Sequence, residues 1–440
     1  MLAGLTKEQA FIVFVFSLSI VGTLFFWEFR LSFVFIGSGV LFLTRSVDLP
    51  HFIEYASLDV ILFLIGMMIV VAAMRDSGIF RLLAQHLLAH KNIGGLGLFV
   101  LTMLLSAAMS GLTGEVTSII IMAAIIFDIC DRLEVNPTPL IISSVLTTNI
   151  GSASTLLGNP IGILIALRAG LTFEDFLLRA LPLSFLALMA VTGVLVIWYR
   201  DYIKDISAKL RAHKRKARLS AQSQPNHHLA GTVIIFVSLI VLIALHKRLE
   251  MLFGMEGNDL LIILPVIFSG IILLYRRDKA RYYVETQVEW SSLLFFMFLF
   301  AQAGVLQSCG VAQFLATKLI AGTGGHPRVL SATVLLSSGL LSAVLDNTVV
   351  TASFIPVVKN LHLLDAQLHP LWWAMLFGAC FGGNITAIGS TANIVALSIL
   401  EKEKNIHVGF LQWLKVGLLA AFVSMAAAYV AVTFIAVYAD

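Results

Sequence analysis

Apolar runs and short polar breaks alternate along this chain, and the alternation is written twice. ILFLIGMMIVVAAMRDSGIFRLLAQHL (61–87) lines up with LLFFMFLFAQAGVLQSCGVAQFLATKL (293–319). The polar break SGLTGEVTS (110–118) meets SAVLDNTVV (342–350) at the same 232-residue offset, and NIGSASTLLGNPIGI (149–163) meets CFGGNITAIGSTANI (380–394) one residue shorter. The apolar runs recur at about 17 to 25 residues, enough to cross roughly 30 Å of hydrocarbon. Lipid offers backbone amides no partners and no period-2 alternation for a barrel is present, so the runs must be helices.

The pattern predicts spans near 9–26, 31–46 and 58–74, a surface helix near 79–90, a polar-tipped hairpin at about 96–132, a broken span at about 139–168 and a span at 176–199. The series then recurs: spans at 229–246, 260–275 and 291–307, a surface helix at 311–320, a hairpin at about 328–361, a broken span at 372–399 and a last span at 409–437. The expected fold is an all-α polytopic membrane protein of two repeats, 1–199 and 229–440, joined by a basic cytoplasmic linker at 200–228. Each repeat holds five transmembrane helices and one re-entrant hairpin, with broken helices at the midplane. Five is odd, so the halves run in opposite orientation, an inverted repeat of the kind secondary transporters use.

Composition points the same way. Of 440 residues, 59% are hydrophobic and 12% charged, with a mean hydropathy of +0.95. A soluble domain carries about 25% charge, so this chain lacks the polar surface of a water-soluble globule. The formal charge of +4 gathers mostly in 200–218, where eight Lys/Arg stand against Asp201 and Asp205. Positive-inside bias places that segment in the cytoplasm, with Arg276, Arg277, Lys279 and Arg281 two spans on. The excess reflects topology and not a nucleic-acid partner. Both termini are then expected outside, and the N-terminus, without a basic segment and cleavage site, is expected to be retained. Cys130, Cys309 and Cys380 are scattered and odd in number, giving no disulfide or metal framework. The expected setting is a lipid bilayer crossed many times, the inner membrane of a bacterium.

Candidate chemistry sits where small and polar residues interrupt the helices at membrane depth. Irregular backbone survives there only when buried in protein or lining an aqueous cavity. The freed helix N-termini attract anions, and the freed carbonyls attract cations. The first hairpin tip offers Ser110, Thr113, Glu115 and Thr117, matched in the second by Ser342, Asp346, Asn347 and Thr348. The first broken span offers Asn149, Ser152, Ser154, Thr155 and Asn159, and its partner Asn384, Thr386, Ser390, Thr391 and Asn393. Small residues alone would mean close helix packing; four clusters at symmetry-matched positions argue for a site.

Glu115 and Asp346 fall one alignment position apart in the two tips. A carboxylate inside the membrane costs at least about 2.5 kcal/mol and usually serves a pathway, an ion site or a proton relay. Asp59 and Asp128 read as interfacial. Arg75, Arg132, Arg168 and Lys359 fall near span ends, where snorkelling explains them. With no Arg or Lys at membrane depth, the pattern leans toward a monovalent cation with protons, or a neutral or weakly charged solute, and away from a polyanion. His86 and His90 share the i, i+4 spacing of a metal pair but lack a third ligand. No GxxxxGK[ST] stretch or HExxH pair occurs, and no nucleophile–base set lies at membrane depth. The chain is expected to be no enzyme, to run on an ion gradient and to need no cofactor beyond bound sodium ions.

Three strings carry a resemblance. They are SAVLDNTVVTASFIPVV (342–358), with an Asp-Asn hairpin tip; GGNITAIGSTANIVAL (382–397), followed by FLQWLKVG (410–417); and TLLGNPIGILIA (155–166), a broken-helix motif. In these, and over nearly its whole length, the chain resembles the ion transporter superfamily. That group includes arsenite efflux permeases, NhaD-type sodium/proton antiporters, the melanosomal P protein and divalent-anion/sodium symporters. The resemblance implies that sodium would be held at Asp346, Asn347 and Thr348, with Asp346 where the symporters have Ser. Gly114 and Glu115 occupy the corresponding place in the first half. It also implies a homodimer, with outer spans as scaffold and with hairpins and broken helices moving together as an elevator. The expected function is secondary active transport by alternating access, sodium/proton antiport in which Glu115 and Asp346 exchange protons with the cation. Asn149, Asn347, Thr348, Asn384 and Asn393 would supply neutral oxygens. The alternative is an anion permease, for arsenite or a di/tricarboxylate such as citrate or succinate, coupled to an ion gradient.

Overall fold

The computed structural model describes residues 5–26, 29–79, 82, 94–216, 228–255, 258–362 and 369–434, and every regular element among them is helical. The first half holds α1 (Lys7–Phe25), α2 (Arg30–Leu43), the short α3 (Leu49–Tyr55), α4 (Leu58–Ser77), α5 (Gly95–Thr113), α6 (Glu115–Leu133), α7 (Thr138–Ser152), α8 (Pro160–Ala169) and α9 (Phe173–Trp198). α10 (Arg200–Lys216) leads to α11 (Leu229–Phe253), α12 (Asp259–Tyr275), α13 (Trp290–Ser308) and α14 (Val311–Thr323). The second half ends with α15 (Pro327–Ser342), α16 (Asn347–His362), α17 (His369–Gly382), α18 (Thr391–Lys404) and α19 (Phe410–Phe434).

Seven of these, α1, α4, α5, α9, α11, α13 and α19, are long and apolar enough to cross a membrane. α2 has 14 residues, which reach only about 21 Å, and the matching α12 has 17. The expected hairpins are α5–α6 and α15–α16, and the expected broken spans are α7–α8 and α17–α18. Local signals set their ends. Asn159 caps α8 through its side chain, which accepts from the Gly162 amide at 2.9 Å, with Pro160 as the first helical residue. Ser390 caps α18 in the same way, accepting from the Ala392 amide at 3.2 Å.

Two expectations are corrected. The stretch 200–228 is not all plain linker: its first part is α10, which buries Ile203 and Ile206 and packs on α5 and α6. Tyr202 Oη donates to the Asn136 carbonyl at 2.5 Å and Lys209 Nζ to the Glu134 carbonyl at 2.6 Å, tying α10 to the α6–α7 turn. The span expected to end at 246 runs on to Phe253, because His246 and Glu250 continue its buried stripe. The surface helix near 79–90, with His86 and His90, falls largely outside the described residues, as does 217–227.

The halves exchange partners. α4 packs along α12, while α13 packs on α2 and α3. α5 lies on α7, and α15 lies on α17. In both of these pairs a glycine makes the approach possible: a side chain at Gly151 would strike the Ala107 backbone, and one at Gly382 the Gly339 backbone. The returning helix of each hairpin lies against the broken span of the other half, α6 on α18 and α16 on α8. This crossing brings all four polar clusters to one place.

Candidate functional site

The first tip turns at Gly114, whose φ of +89° suits glycine alone. It launches α6 with Glu115, whose amide donates to the Gly158 carbonyl in the break of α7–α8 at 3.0 Å. In the second tip Asp346 stands at the same place and caps α16. Its Oδ1 accepts from the Thr348 amide at 2.9 Å, and its Oδ2 accepts from Thr391 Oγ1 at 2.7 Å. Each break is fastened to its neighbouring tip by a matched bond, from Thr155 Oγ1 to the Gly111 carbonyl and from Thr386 Oγ1 to the Ala343 carbonyl. At these two bonds the alignment of the halves is reproduced.

A cavity of about 140 Å³ opens at this junction. Glu115 and Thr117 in α6, Asn159 and Pro160 at the start of α8, Thr348 in α16 and Thr391 in α18 all reach its wall, with Thr113 beside them. The first turns of four helices thus face one space. The unsatisfied amides and dipoles of helix N-termini favour negative charge. Glu115 is buried, and Ser152 and Asn347 face its carboxyl. Glu115 Oε2, Ser110 Oγ and Thr348 Oγ1 are buried with no hydrogen bond among the described residues. Buried polar atoms are nearly always paired, and these three orphans lie at the two tips.

Two arginines stand on the wall, Arg30 and the span-end Arg75. Arg30, the first residue of α2, donates through Nη2 to Ser292 Oγ at 2.8 Å, lies 5.4 Å from the Phe295 ring centroid and is within Coulombic reach of Glu289 and Asp346. Arg75, in the last turn of α4, has no ion-pair or hydrogen-bond partner among the described residues. The residue after it is anchored. Asp76 accepts from Arg276 Nη2 at 2.9 Å, from Lys279 Nζ at 2.6 Å and from Tyr283 Oη at 3.0 Å. Arg276 also donates to Asp278, which holds that loop carboxyl below the usual carboxylate range.

Three of the asparagines expected to offer oxygens to a cation, Asn149, Asn384 and Asn393, are joined to one another. Asn149 Nδ2 donates to Asn384 Oδ1 at 2.8 Å and to Asn393 Oδ1 at 2.9 Å, while Asn149 Oδ1 accepts from Ser390 Oγ at 3.2 Å. Asn393 Nδ2 donates to the Gly383 and Thr386 carbonyls, both at 2.9 Å, and Asn384 Nδ2 to the Leu146 carbonyl at 3.2 Å. Asn159 Nδ2 donates to Ser152 Oγ at 2.9 Å. Ser154 bonds the Gly151 carbonyl at 2.6 Å and Ser342 the Ala379 carbonyl at 2.7 Å. These residues hold the two breaks together, and the cavity belongs to the first turns. Asp128 pairs with Arg132, both side chains exposed. Among the described residues no three His, Cys, Asp or Glu side chains form a metal cluster.

Comparison with known proteins agrees with this architecture. The family model described as "Citrate transporter" matches residues 11–378 and 296–439. An uncharacterized transporter of Mycobacterium tuberculosis (strain ATCC 25618 / H37Rv) is 32% identical over 384 residues, covering 83% of this chain and 84% of the relative. The human P protein is 25% identical over 84% of this chain and 52% of its own length. The crystal structure of the YdaH transporter of Alcanivorax borkumensis superposes with a TM-score of 0.59 at 16% identity, over 97% of this chain and 98% of that one. The chain is a multi-pass membrane transporter.

Proposed function

This chain belongs to the citrate transporter family, and on that premise we propose that it is a secondary active transporter whose cargo is a small anion, a di- or tricarboxylate such as citrate or succinate, or an oxyanion such as arsenite. The observation that carries the reading is the cavity onto which the first turns of α6, α8, α16 and α18 converge, with Arg75 and Arg30 on its wall. Four N-termini and two guanidiniums turn positive ends toward a space whose wall also holds the carboxyls of Glu115 and Glu289. Glu115 would carry a proton with the cargo, and the tip at Asp346, Asn347 and Thr348 would hold sodium. The hairpins and broken spans would move as one unit within a homodimer.

A second reading, sodium/proton antiport, draws on the same pair of acids, Glu115 and Asp346. Flux in sealed proteoliposomes separates the two. Citrate, succinate or arsenite uptake driven by a sodium or proton gradient supports the anion transporter. A pH gradient collapsed by sodium or lithium alone, with no anion flux, replaces it by the antiporter.

A further inference from the structure

A second, larger cavity of about 680 Å³ is lined by the opposite ends of α4 and α13, so it faces away from the transport cavity. Its wall holds Asp59 on α4 and Arg168 on α8. They are joined as a fork, Arg168 Nη1 to Asp59 Oδ2 at 2.8 Å and Nη2 to Oδ1 at 3.1 Å. Lys359 on α16 shares the wall, half-buried and within Coulombic reach of both, with no ion pair or hydrogen bond among the described residues. The acids near it do not answer its charge: Asp59 is engaged by Arg168, and Glu54 is exposed on α3. A guanidinium has five N–H donors, and the fork uses two of them.

We propose that this cavity is a second small-anion site, in which Lys359 Nζ and the remaining N–H groups of Arg168 hold a carboxylate or an inorganic oxyanion, with Tyr55 and Gln307 on the polar wall. It goes beyond the proposed function, because it uses other residues at the other face and stands whether the transported species is an anion or a cation. Arg168 stays oriented by Asp59, so a planar carboxylate meets a guanidinium already fixed in place, and Lys359 supplies the uncompensated charge.

The test is thiol labelling of the full-length protein in lipid nanodiscs. Ser308, an exposed residue of the cavity wall, is changed to cysteine in a Cys309→Ser background, leaving only the buried Cys130 and Cys380. Rates with a sulfonate-bearing and a trimethylammonium-bearing methanethiosulfonate are each divided by the rate with β-mercaptoethanol. The expected preference for the anionic reagent is about fivefold or more, is retained in Lys359→Arg and falls to about one in Lys359→Gln. Succinate or sulfate should slow the labelling. Protection by succinate alone assigns a carboxylate, and protection by sulfate alone an inorganic oxyanion; both support the site. No anionic preference, a preference unchanged in Lys359→Gln, or protection by neither anion overturns it.

Discussion

Asn149 in the first broken span donates its amide to Oδ1 of Asn393 in the second at 2.9 Å, joining residues 244 apart in the chain. The same amide reaches Asn384, and its oxygen accepts from Ser390. One side chain therefore satisfies three others in a dry interior. Replacing it with leucine would strand all three, at about 1–3 kcal/mol for each buried unsatisfied group. Asn149→Leu is expected to lower the melting temperature in detergent far more than Asn159→Leu, whose own side chain stands on the wall of a cavity that water can enter. Equal losses would show that the network is not the central fastening.

Asp346 and Glu115 occupy matched tips but do different work. Both Asp346 oxygens accept bonds, one of them as a helix cap. Asparagine keeps a cap acceptor, so Asp346→Asn should retain the fold within about 1 kcal/mol, whereas Asp346→Ala loses about that much or more. Its residual transport should exceed that of Glu115→Gln. The opposite ranking in the same vesicles would move the proton or cation role to Asp346.

Much of this was legible in the sequence because lipid leaves few alternatives. A run of apolar residues in a bilayer must be helical, so the spans, the hairpins and the breaks follow from hydropathy, and the internal repeat locates the two tips. α10 is hard to see in the sequence because its many charges hide the narrow stripe of Ile203 and Ile206 that docks it. The roles of the asparagines were not legible, since composition cannot tell an amide tied to Asn384 from one facing a cavity. The place of Arg30 is not legible in the sequence for a topological reason. It opens a short helix far from Glu115 in sequence, and only the packing of α2 on α13 carries it to the same wall.

The repeat itself makes a prediction. Gly151 and Gly382 sit at the same position of the two halves, each against the backbone of a facing helix. Backbone cannot yield as a side-chain end can, so Gly151→Ala and Gly382→Ala should each force the helix pair apart and cost at least about 1–3 kcal/mol. Loss of folded, monodisperse protein on size exclusion is expected for both. A large effect in one half with none in the other would contradict the matched packing.

Glu115 is the one carboxyl on the cavity wall contributed by a hairpin tip. If it carries the coupled proton, Glu115→Gln should cut uptake driven by an imposed pH gradient at least about tenfold, since each such factor corresponds to about 1.4 kcal/mol of lost driving interaction. Exchange of labelled for unlabelled cargo at equal pH on both sides should persist, because glutamine keeps the shape of the site. Loss of both activities together would assign Glu115 to cargo binding instead.

Arg75 offers the sharpest separation of the two functional readings. It lines the cavity from α4, while its neighbour Asp76 is held by Arg276, Lys279 and Tyr283. The helix end is therefore fixed independently of Arg75, and Arg75→Gln should fold normally. An anion in this space would lose a charge-assisted bond worth about 1.5–3 kcal/mol, which is roughly ten- to a hundredfold in affinity. Arg75→Lys keeps the charge but not the planar fork, so it should recover only part of that loss for a carboxylate. A cation would gain from the same removal. The sign of the change in dissociation constant on Arg75→Gln, measured by equilibrium binding of the ion to the purified protein, therefore decides between anion and cation without depending on how fast the carrier turns over.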